Sequence, residues 1–277
     1  MKEAMFYEKL KNKNVQCILC PHKCVIKDGS RGICKVRENK KGILYSLVYG
    51  KICSANPESI LKKPFYHFLP GTYAYSIATA GCNLHCLHCQ NWEISQAKPE
   101  DVANLDLSLK DIIESTINSD CKSIAYTFTE PTVFYEMMLD ISKLAKKAKI
   151  KNTIVSNGFI NPKPLIELCK YADGANIDLK SINPEHYKKI CQARLEPVLE
   201  AIKIYHEKKV WLELTNLIIP TLNDSLAEIK KLINWVKDNL GLDVPLHFTA
   251  FYPTYKLMNL PPTSLNILRK ARQEAKK

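Results

Sequence analysis

The stretch that decides the fold is residues 74–92, AYSIATAGCNLHCLHCQNW, in which an apolar run leads directly into a loop with three cysteines. The run AYSIATA is rich in small, β-branched and aromatic residues and predicts a buried strand. Cys82, Cys86 and Cys89 follow it, and no fourth cysteine stands close behind them. A closed tetrahedral metal site needs four ligands, so three thiolates in one loop indicate a centre with one open position.

Strand-like and helix-like segments alternate after this loop at a repeat of roughly 30 residues, the pattern of βαβ units. The predicted strands cover residues 74–80, 123–129, 152–158, 174–180, 210–219 and 245–252. The predicted helices cover residues 108–119, 132–148, 162–171, 184–208 with a break, 224–239 and a last segment that begins near Pro262. This order predicts an α/β fold, a partial (β/α)6 TIM-like barrel, with a small cysteine-rich N-terminal segment. We place the boundary so that residues 1–63 form the cysteine-rich segment and residues 64–277 form the barrel domain.

Polar and turn-forming motifs stand at the ends of successive predicted strands. The three-cysteine loop follows the first strand, and the second to sixth strands end with the motifs TEP, SNG, DLK, IIP and FYP. Parallel α/β folds place their sites at the carboxyl ends of the strands. We therefore expect these motifs to meet at one cavity.

Two kinds of metal centre fit the three-cysteine loop. A zinc ion would take its fourth ligand from His85 or His88. A [4Fe-4S] cluster would leave one of its irons open to a ligand that is not protein. The C-x3-C-x2-C spacing after a first barrel strand, with the aromatic His88 before the last cysteine, resembles the motif of the radical S-adenosylmethionine (radical SAM) enzymes. The resemblance implies that SAM chelates the open iron, and that the reduced cluster cleaves SAM to a 5'-deoxyadenosyl radical that abstracts hydrogen from a substrate.

The resemblance extends over nearly the whole chain, from about Met5 to Pro262. Five stretches are similar, in this order, to the branch of the superfamily that resembles the pyruvate formate-lyase activating enzymes: GCNLHCLHCQNWEISQ, YTFTEPTVFYE, VSNGF, IDLKS and IIPTLND. The enzymes of this branch are oxidoreductases. LCPHKCVIKDGSRGICKVREN and KKPFYHFLPGTYAYSIATAGCN resemble the radical SAM member of the AmmeMemoRadiSam system. The resemblance implies an electron donor of the flavodoxin or ferredoxin type and partners of the Memo and AMMECR types. It also implies a further segment with a C-x2-C pair, whereas this sequence ends at Lys277.

Five residues at the ends of the second and third strands correspond to SAM-binding positions of the family. Thr127, Thr129 and Glu130 stand where the family carries Gly-Gly-Glu-Pro, which meets the methionyl amine of SAM; both glycines are absent here. Ser156 and Asn157 are placed to bind the ribose or the methionyl carboxylate, although both also suit a plain turn. The resemblance therefore implies that these residues bind the cofactor.

Asp178 and Lys180 alternate along the fourth predicted strand, so both side chains face the same side. A buried carboxylate and a buried ammonium on one face require each other or a ligand. They resemble the activating-enzyme pair that contacts cosubstrate and substrate, which implies a catalytic role for both and SAM binding for Asp178. His247 stands in an apolar strand and is predicted to be a core residue.

A second group of cysteines precedes the barrel. Cys17, Cys20, Cys24 and Cys34 have C-x2-C-x3-C-x9-C spacing around tight turns. This spacing is typical of zinc sites and favours zinc; an auxiliary iron-sulfur cluster and the absence of any metal are the alternatives. The segment is too short to hold a hydrophobic core unaided, so a metal would stabilise it.

Composition restricts the function classes. The chain has 277 residues, 11 cysteines and a net charge of +12 from 40 Lys and Arg against 28 Asp and Glu. The lysines are spread over predicted helix faces, so we expect no nucleic-acid partner. There is no run of about 18 apolar residues and no apolar signal core at the start, so we expect no membrane association and a cytoplasmic location. An odd number of clustered cysteines favours metal ligation over disulfides.

Three other functions remain open beside a radical SAM enzyme of unidentified substrate. A glycyl-radical activase would act on a partner protein, but residues 92–120 lack the cysteine-rich insert that many activases carry. An RNA-modifying radical SAM enzyme is suggested only by the charge. A non-catalytic zinc-binding scaffold would leave the strand-end motifs without a reason to converge.

Overall fold

The computed structural model describes residues 1–277. The chain contains 15 strands: Lys2–Glu3 (β1), Tyr7–Lys9 (β2), Val15–Cys17 (β3), Val25–Ile26 (β4), Arg37–Lys40 (β5), Ile43–Ser46 (β6), Lys51–Ile52 (β7), Ser54–Ser59 (β8), Tyr73–Ala78 (β9), Leu105–Asp106 (β10), Ser123–Tyr126 (β11), Lys151–Ser156 (β12), Gly174–Asp178 (β13), Trp211–Ile218 (β14) and Leu246–Ala250 (β15). The α-helices are Trp92–Ser95 (α1), Leu109–Asn118 (α2), Tyr135–Lys147 (α3), Pro162–Cys169 (α4), Pro184–His186 (α5), Glu196–Glu207 (α6), Leu226–Leu240 (α7) and Leu265–Ala275 (α8).

One seven-stranded sheet forms the barrel, in the order β15-β14-β13-β12-β11-β9-β8. Its first six members pair in parallel, and each parallel connection contains a helix. The inner parallel strands β11 to β14 are buried on both sides along most of their length, which explains their continuous apolar runs, whereas the edge strand β15 is half-buried. The partial TIM-like barrel is confirmed, and all six predicted strands are present.

The predicted helices are also confirmed. Ser108 caps α2 by accepting a hydrogen bond from the Asp111 N–H, and the Asp111 side chain accepts one from the Ser108 N–H. This reciprocal pair satisfies two N–H groups that the helix leaves unpaired. The predicted break in residues 184–208 is a π-helical turn, Tyr187–Cys191, that ends at Gln192 in the left-handed conformation.

The N-terminal segment consists of short antiparallel strands, in the orders β1-β6-β5 and β2-β3-β4. Its apolar residues, such as Val15 and Val36, belong to the same core as barrel residues such as Ile77 and Ile154. β8 pairs antiparallel with β9 along its whole length, so the barrel sheet begins before residue 63. The division into residues 1–63 and 64–277 stays a prediction.

Residues 60–68 lie against the interior of the barrel. Phe65 is fully buried and packs with Ala74 and Ala125. The carboxylate of Glu213 on β14 accepts hydrogen bonds from the backbone N–H groups of residues 66–68, at 3.0 to 3.1 Å. This anchoring places Lys62 and Lys63 at the wall of the cavity described below.

None of the helices combines the length and the apolar character that crossing a bilayer requires.

Candidate functional site

A cavity of about 470 Å³ opens at the carboxyl ends of the parallel strands, beside the three-cysteine loop. The residues that line it include every barrel residue predicted for the site: Cys82, Cys86, Cys89, Thr127, Thr129, Glu130, Ser156, Asn157, Asp178 and Lys180. The six strand ends converge here because the strands are parallel and in register. The cavity is large enough for a cofactor of the size of a nucleoside with an amino-acid tail.

The three-cysteine loop leaves β9 through Gly81, whose φ is +93°. A Cβ at this position would lie 2.5 Å from Val36 Cγ1 and 2.7 Å from the Cys34 carbonyl oxygen, so only glycine fits. The loop is fixed further along by two backbone bonds, from the His85 N–H to the Cys191 oxygen and from the Leu87 N–H to the Ile190 oxygen. The loop therefore packs against the N-terminal segment on one side and the π-helical turn on the other.

The sulfur atoms of this loop have hydrogen-bond donors around them. Cys82 Sγ accepts from the Leu84 N–H at 3.4 Å and from Asn157 Nδ2 at 3.7 Å, and Cys89 Sγ lies 3.2 Å from the Ser95 hydroxyl. Such donors stabilise thiolates and bridged iron centres.

The spacing of these sulfur atoms also distinguishes between metal centres. A tetrahedral zinc ion at about 2.3 Å from each sulfur would hold the sulfurs about 3.8 Å apart. Among His, Cys, Asp and Glu side chains, three ligand atoms lie within 4.8 Å of one another only at His67, Glu213 and His247. The three sulfur atoms of the loop are therefore not all within 4.8 Å of one another. The three sulfur atoms therefore stand farther apart than the ligands of a single tetrahedral zinc ion.

Cys191 is a fourth thiol beside this loop, and it belongs to neither group of cysteines predicted from the sequence. It is fully buried in the π-helical turn. The neighbouring thiol of Cys191 lowers the pKa of Cys86, whereas the Cys86 thiol and burial raise the pKa of Cys191. Cys191 does not line the cavity, so its thiol lies behind Cys86 and not at the open side of the site.

Glu130 is almost fully buried at the cavity wall. Its Oε1 accepts from the Thr132 N–H at 3.0 Å, the Thr132 hydroxyl at 2.6 Å and the Ser156 hydroxyl at 2.8 Å, whereas Oε2 accepts only from the Asn157 N–H at 2.9 Å. Burial raises the pKa of Glu130, and these hydrogen bonds oppose that effect. One oxygen is saturated and the other has capacity for a further donor, such as an ammonium group.

The segment before Glu130 turns sharply although it lacks glycine. Phe128 has a φ of +63°, a left-handed conformation that costs a residue with a side chain about 1 to 2 kcal/mol. Its carbonyl oxygen accepts from Asn91 Nδ2 at 2.7 Å, and the Thr129 hydroxyl donates to the Thr79 oxygen at 2.8 Å. The backbone thus keeps the turn that glycines would make easier, and Thr127 and Thr129 line the cavity.

Asn157 connects the third strand to the three-cysteine loop. Its Nδ2 donates to Asn83 Oδ1 at 2.9 Å as well as to Cys82, and its Oδ1 accepts from the Phe159 N–H at 2.8 Å. Ser156 is committed to Glu130 and also accepts from the Gly158 N–H at 3.0 Å. Both residues are buried, so they shape the site more than a plain surface turn would.

Asp178 and Lys180 form an ion pair at the cavity wall. Lys180 Nζ lies 2.9 Å from Asp178 Oδ2, and the Asp178 side chain is 37% exposed against 14% for Lys180. Although burial opposes it, Asp178 and the thiols of Cys86 and Cys191 hold the pKa of Lys180 well above its ordinary value. Lys180 is therefore a fixed positive charge beside the three-cysteine loop.

Lys63 was not predicted as a residue of the cavity, and His88 was predicted only as a residue of the three-cysteine loop. Lys63, which is almost fully buried, forms an ion pair with Glu58, and its Nζ lies 3.9 Å from the centre of the Phe128 ring. The buried Nδ1 of His88 has no hydrogen-bond partner at the cavity wall. A basic residue beside a turn of Pro and aromatic residues was the only available signal for Lys63, and it is a weak one.

The group of His67, Glu213 and His247 lies away from the cavity. His247 Nε2 lies 2.6 Å from Glu213 Oε2, and Trp211 Nε1 donates to Glu213 Oε1 at 3.1 Å. Although burial opposes it, these hydrogen bonds and those from residues 66 and 67 lower the pKa of Glu213 to about 2. The carboxylate is thus occupied in anchoring the chain. His247 has a hydrogen-bond partner in Glu213, as predicted, but it is half-buried and lines a separate cavity, so it is not a core residue.

The four N-terminal cysteines surround a separate, small cavity of about 20 Å³. Arg37, Asn83 and Thr132 complete its wall, so the cavity lies between the N-terminal segment and the barrel. All 11 cysteines are free thiols. The structure therefore brings each predicted group of cysteines together at its own cavity.

Comparison with known proteins agrees with this geometry. The model of the Radical SAM superfamily matches residues 76–236, which include the three-cysteine loop and four of the parallel strands after it. The chain is 46% identical over 275 residues to the uncharacterized protein MJ0808 of Methanocaldococcus jannaschii, covering 99% of this chain and 82% of that protein. It is 28% identical over 192 residues to the pyruvate formate-lyase-activating enzyme of Clostridium pasteurianum, covering 65% of this chain and 77% of that enzyme.

The fold is shared with solved structures at low sequence identity. SuiB of Streptococcus suis bound to S-adenosylmethionine superposes with a TM-score of 0.56 at 16% identity, over 70% of this chain and 44% of that chain. At this identity the likeness concerns the fold alone, and it agrees with the partial barrel.

Proposed function

The chain belongs to the radical SAM superfamily, and from this premise we propose that it cleaves S-adenosylmethionine reductively at a [4Fe-4S] cluster held by Cys82, Cys86 and Cys89. When bound, the cluster would supply the one electron that breaks the bond between the SAM sulfur and C5', giving methionine and a 5'-deoxyadenosyl radical that becomes 5'-deoxyadenosine when it takes a hydrogen atom from the substrate. The observation that carries the proposal is the cavity wall: three thiols of one loop, no fourth cysteine among the lining residues, and a buried carboxylate with a free acceptor.

The strand-end residues would position the cofactor. Glu130 Oε2 accepts from the methionyl ammonium, together with backbone oxygens of the turn that contains Thr127 and Thr129. Ser156 holds the Glu130 carboxylate in place, and Asn157 fixes the loop that carries Cys82. These interactions fix the sulfonium relative to the cysteine loop, which is the main contribution a protein makes to cofactor chemistry.

Asp178 and Lys180 would stand between cofactor and substrate. The exposed side of Asp178 offers an acceptor to a cofactor hydroxyl, while Lys180 supplies a fixed positive charge near the cysteines. Phe128 and Pro64 line the cavity and limit access of water to the reacting atoms. Lys62 and Lys63 favour a substrate with an anionic group at the wall formed by residues 62–64.

The finer identity is part of the proposal. The relationship to a pyruvate formate-lyase-activating enzyme supports an oxidoreductase that receives electrons from a flavodoxin or ferredoxin type donor and acts on a protein substrate. The motifs that resemble the AmmeMemoRadiSam enzymes extend this to partners of the Memo and AMMECR types. Free thiols and an oxygen-sensitive cluster both suit a reducing cytoplasm.

The test is anaerobic reconstitution with iron and sulfide. We expect an EPR signal of a reduced [4Fe-4S] cluster after dithionite, a change of that signal when SAM is added, and formation of 5'-deoxyadenosine measured by chromatography. Cys86→Ala should abolish the SAM-dependent change and reduce the nucleoside to background.

Cys121→Ala is the matched control, because Cys121 is also buried but lies apart from both cysteine groups. It should keep both signals. Nucleoside formation that survives Cys86→Ala, or wild-type protein with zinc, no cluster and no nucleoside, would refute the proposal and favour the structural scaffold.

A further inference from the structure

The small cavity of the N-terminal cysteines is built like a metal centre. Cys17, Cys20, Cys24 and Cys34 all line it, and the cysteines come from different turns of the segment. Gly32 lies beside Cys24, and a Cβ there would be in ordinary van der Waals contact with the Cys24 sulfur, at 3.7 Å. Four free thiols around one enclosed space supply a complete set of ligands for a metal centre.

Arg37 is an independent indication that this centre carries negative charge. The side chain is 2% exposed and lines the cavity. Its Nη2 donates to Glu136 Oε2 at 2.7 Å, but the buried Nε and Nη1 groups have no partner. Leaving a buried N–H unpaired costs about 1 to 3 kcal/mol, so these donors require acceptors. Metal-bound thiolates or bridging sulfides at the cavity would accept them, whereas four neutral thiols are poor acceptors.

The spacing of the sulfur atoms favours a centre larger than one ion. As in the barrel loop, no three of these sulfurs lie within 4.8 Å of one another, although a tetrahedral zinc site would bring them to about 3.8 Å. In a cluster each cysteine binds a different iron, so the sulfurs stand farther apart. The C-x2-C-x3-C-x9-C spacing alone favours zinc, but the arrangement of the side chains favours iron and sulfide.

The two cysteine groups are in direct contact through the backbone. His22, between Cys20 and Cys24, has its Nε2 2.7 Å from the carbonyl oxygen of Asn83, the residue after Cys82. On the other side, the Cys34 carbonyl oxygen packs against Gly81, the residue before Cys82. Asn83 itself lines the N-terminal cavity, so a short path of bonded and hydrogen-bonded atoms joins the two sites.

We propose that Cys17, Cys20, Cys24 and Cys34 hold an iron-sulfur cluster that passes electrons to the centre at Cys82, Cys86 and Cys89. A low-potential one-electron donor protein of the ferredoxin or flavodoxin class is oxidised by one electron, the N-terminal cluster is reduced, and the electron moves on to the barrel centre. No bond is made or broken in this transfer. The cluster assignment stands alone, whereas the transfer rests on the proposed function.

The decisive variant carries Cys82→Ala, Cys86→Ala and Cys89→Ala together, which leaves the N-terminal site as the only cysteine group. After anaerobic reconstitution we expect about four irons and four sulfides per chain, and an EPR signal after reduction. One zinc per chain without sulfide, or no metal at all, would overturn the assignment. This readout does not depend on SAM chemistry, so failure of the proposed function leaves it interpretable.

A second variant carries Cys17→Ala and Cys34→Ala and leaves the three-cysteine loop unchanged. It tests the assignment if the first variant does not fold. Iron should fall from about eight to about four per chain, and iron that stays at the wild-type level would contradict the assignment. Nucleoside formation with a protein donor should fall to background while dithionite still supports it. Equal activity with both reductants would refute the electron transfer but not the cluster.

Arg37 provides a second readout. Replacing Arg37→Met together with Glu136→Gln avoids a buried unpaired carboxylate, so the double variant should fold. The double variant loses one positive and one negative charge, so its net charge is unchanged. It also loses the two unpartnered donors at the cavity, which should lower the reduction potential of the N-terminal cluster and leave that of the barrel cluster unchanged. An unchanged N-terminal potential would show that the guanidinium does not face the cluster.

Discussion

Replacement of Glu130 by Gln tests the site most directly, because this buried carboxylate holds four hydrogen bonds and is the residue that we propose to bind the cofactor. In the wild type, Oε1 has three donors and Oε2 has one. In Glu130→Gln the amide oxygen can take the Oε1 position and keep its donors. The amide NH2 then faces the Asn157 N–H, so two donors oppose each other and one buried N–H loses its acceptor.

The expected magnitudes follow from these bonds. Losing the bond from Asn157 and leaving its N–H unpaired costs about 2 to 3 kcal/mol of stability. In the complex with SAM, the methionyl ammonium additionally loses a charged acceptor worth about 2 kcal/mol. This weakens SAM binding by roughly 30-fold, since about 1.4 kcal/mol corresponds to tenfold.

The assay is urea unfolding for stability and anaerobic equilibrium dialysis for SAM affinity. Glu213→Gln is a matched control, because Glu213 is an equally buried carboxylate with several backbone donors but lies outside the cavity. It should show a similar loss of stability with SAM affinity within about twofold of the wild type. Wild-type SAM affinity in Glu130→Gln would refute the role of Glu130 in binding the cofactor and reduce it to a structural residue.

Three further predictions follow from other contacts. Cys191→Ala should keep the iron content and the SAM-dependent EPR change, since three cysteines suffice for an open centre; loss of iron would make Cys191 a fourth ligand. Gly81→Ala should unfold in urea with a free energy several kcal/mol lower than that of Gly71→Ala. Both glycines have a positive φ, but only at residue 81 would the added Cβ clash, with Cys34 and Val36, so equal losses of stability would contradict the close packing. The pKa of Glu213 is about 2 in the folded protein, below its ordinary value of 4.5, so the ionised carboxylate should stabilise the fold by at most about 3 kcal/mol above pH 4.5 and lose this effect as the pH falls towards 2. Glu213→Gln should flatten this part of the plot of unfolding free energy against pH, and a plot identical to that of the wild type would contradict the role of Glu213.

The parallel strands and the site they carry were predictable because local and global signals agree. Buried parallel strands require continuous apolar runs, and the site residues come directly after them. The end of β11 shows the limit of this reasoning. The run continues to residue 129, but the strand ends at Tyr126 because Phe128 adopts a left-handed turn. Strain of this kind is set by tertiary contacts and has no signature in composition.

β8 and residues 60–68 could not be predicted from the sequence. The strand SANPES is polar, contains Pro57 and lacks alternation, so pattern gives no reason to place it in the barrel sheet. Its position depends on pairing with β9. The anchoring of residues 66–68 by Glu213 joins groups almost 150 residues apart, and a single sequence carries no record of such contacts. Lys63 and Cys191 were missed for the same reason.

The cysteine-rich segment and the barrel depend on each other physically, whatever metal the segment holds. Residues of both parts share one core, Arg37 pairs with Glu136 of α3 at the centre of their contact, and Cys34 and His22 hold the two residues that flank Cys82. A buried ion pair that loses one member is strongly destabilising, so the two parts resist separation. Any metal that fixes Cys34 and the loop around His22 therefore also fixes the position of Cys82. The three-cysteine loop is thus supported from the N-terminal side by the segment that carries the other four cysteines.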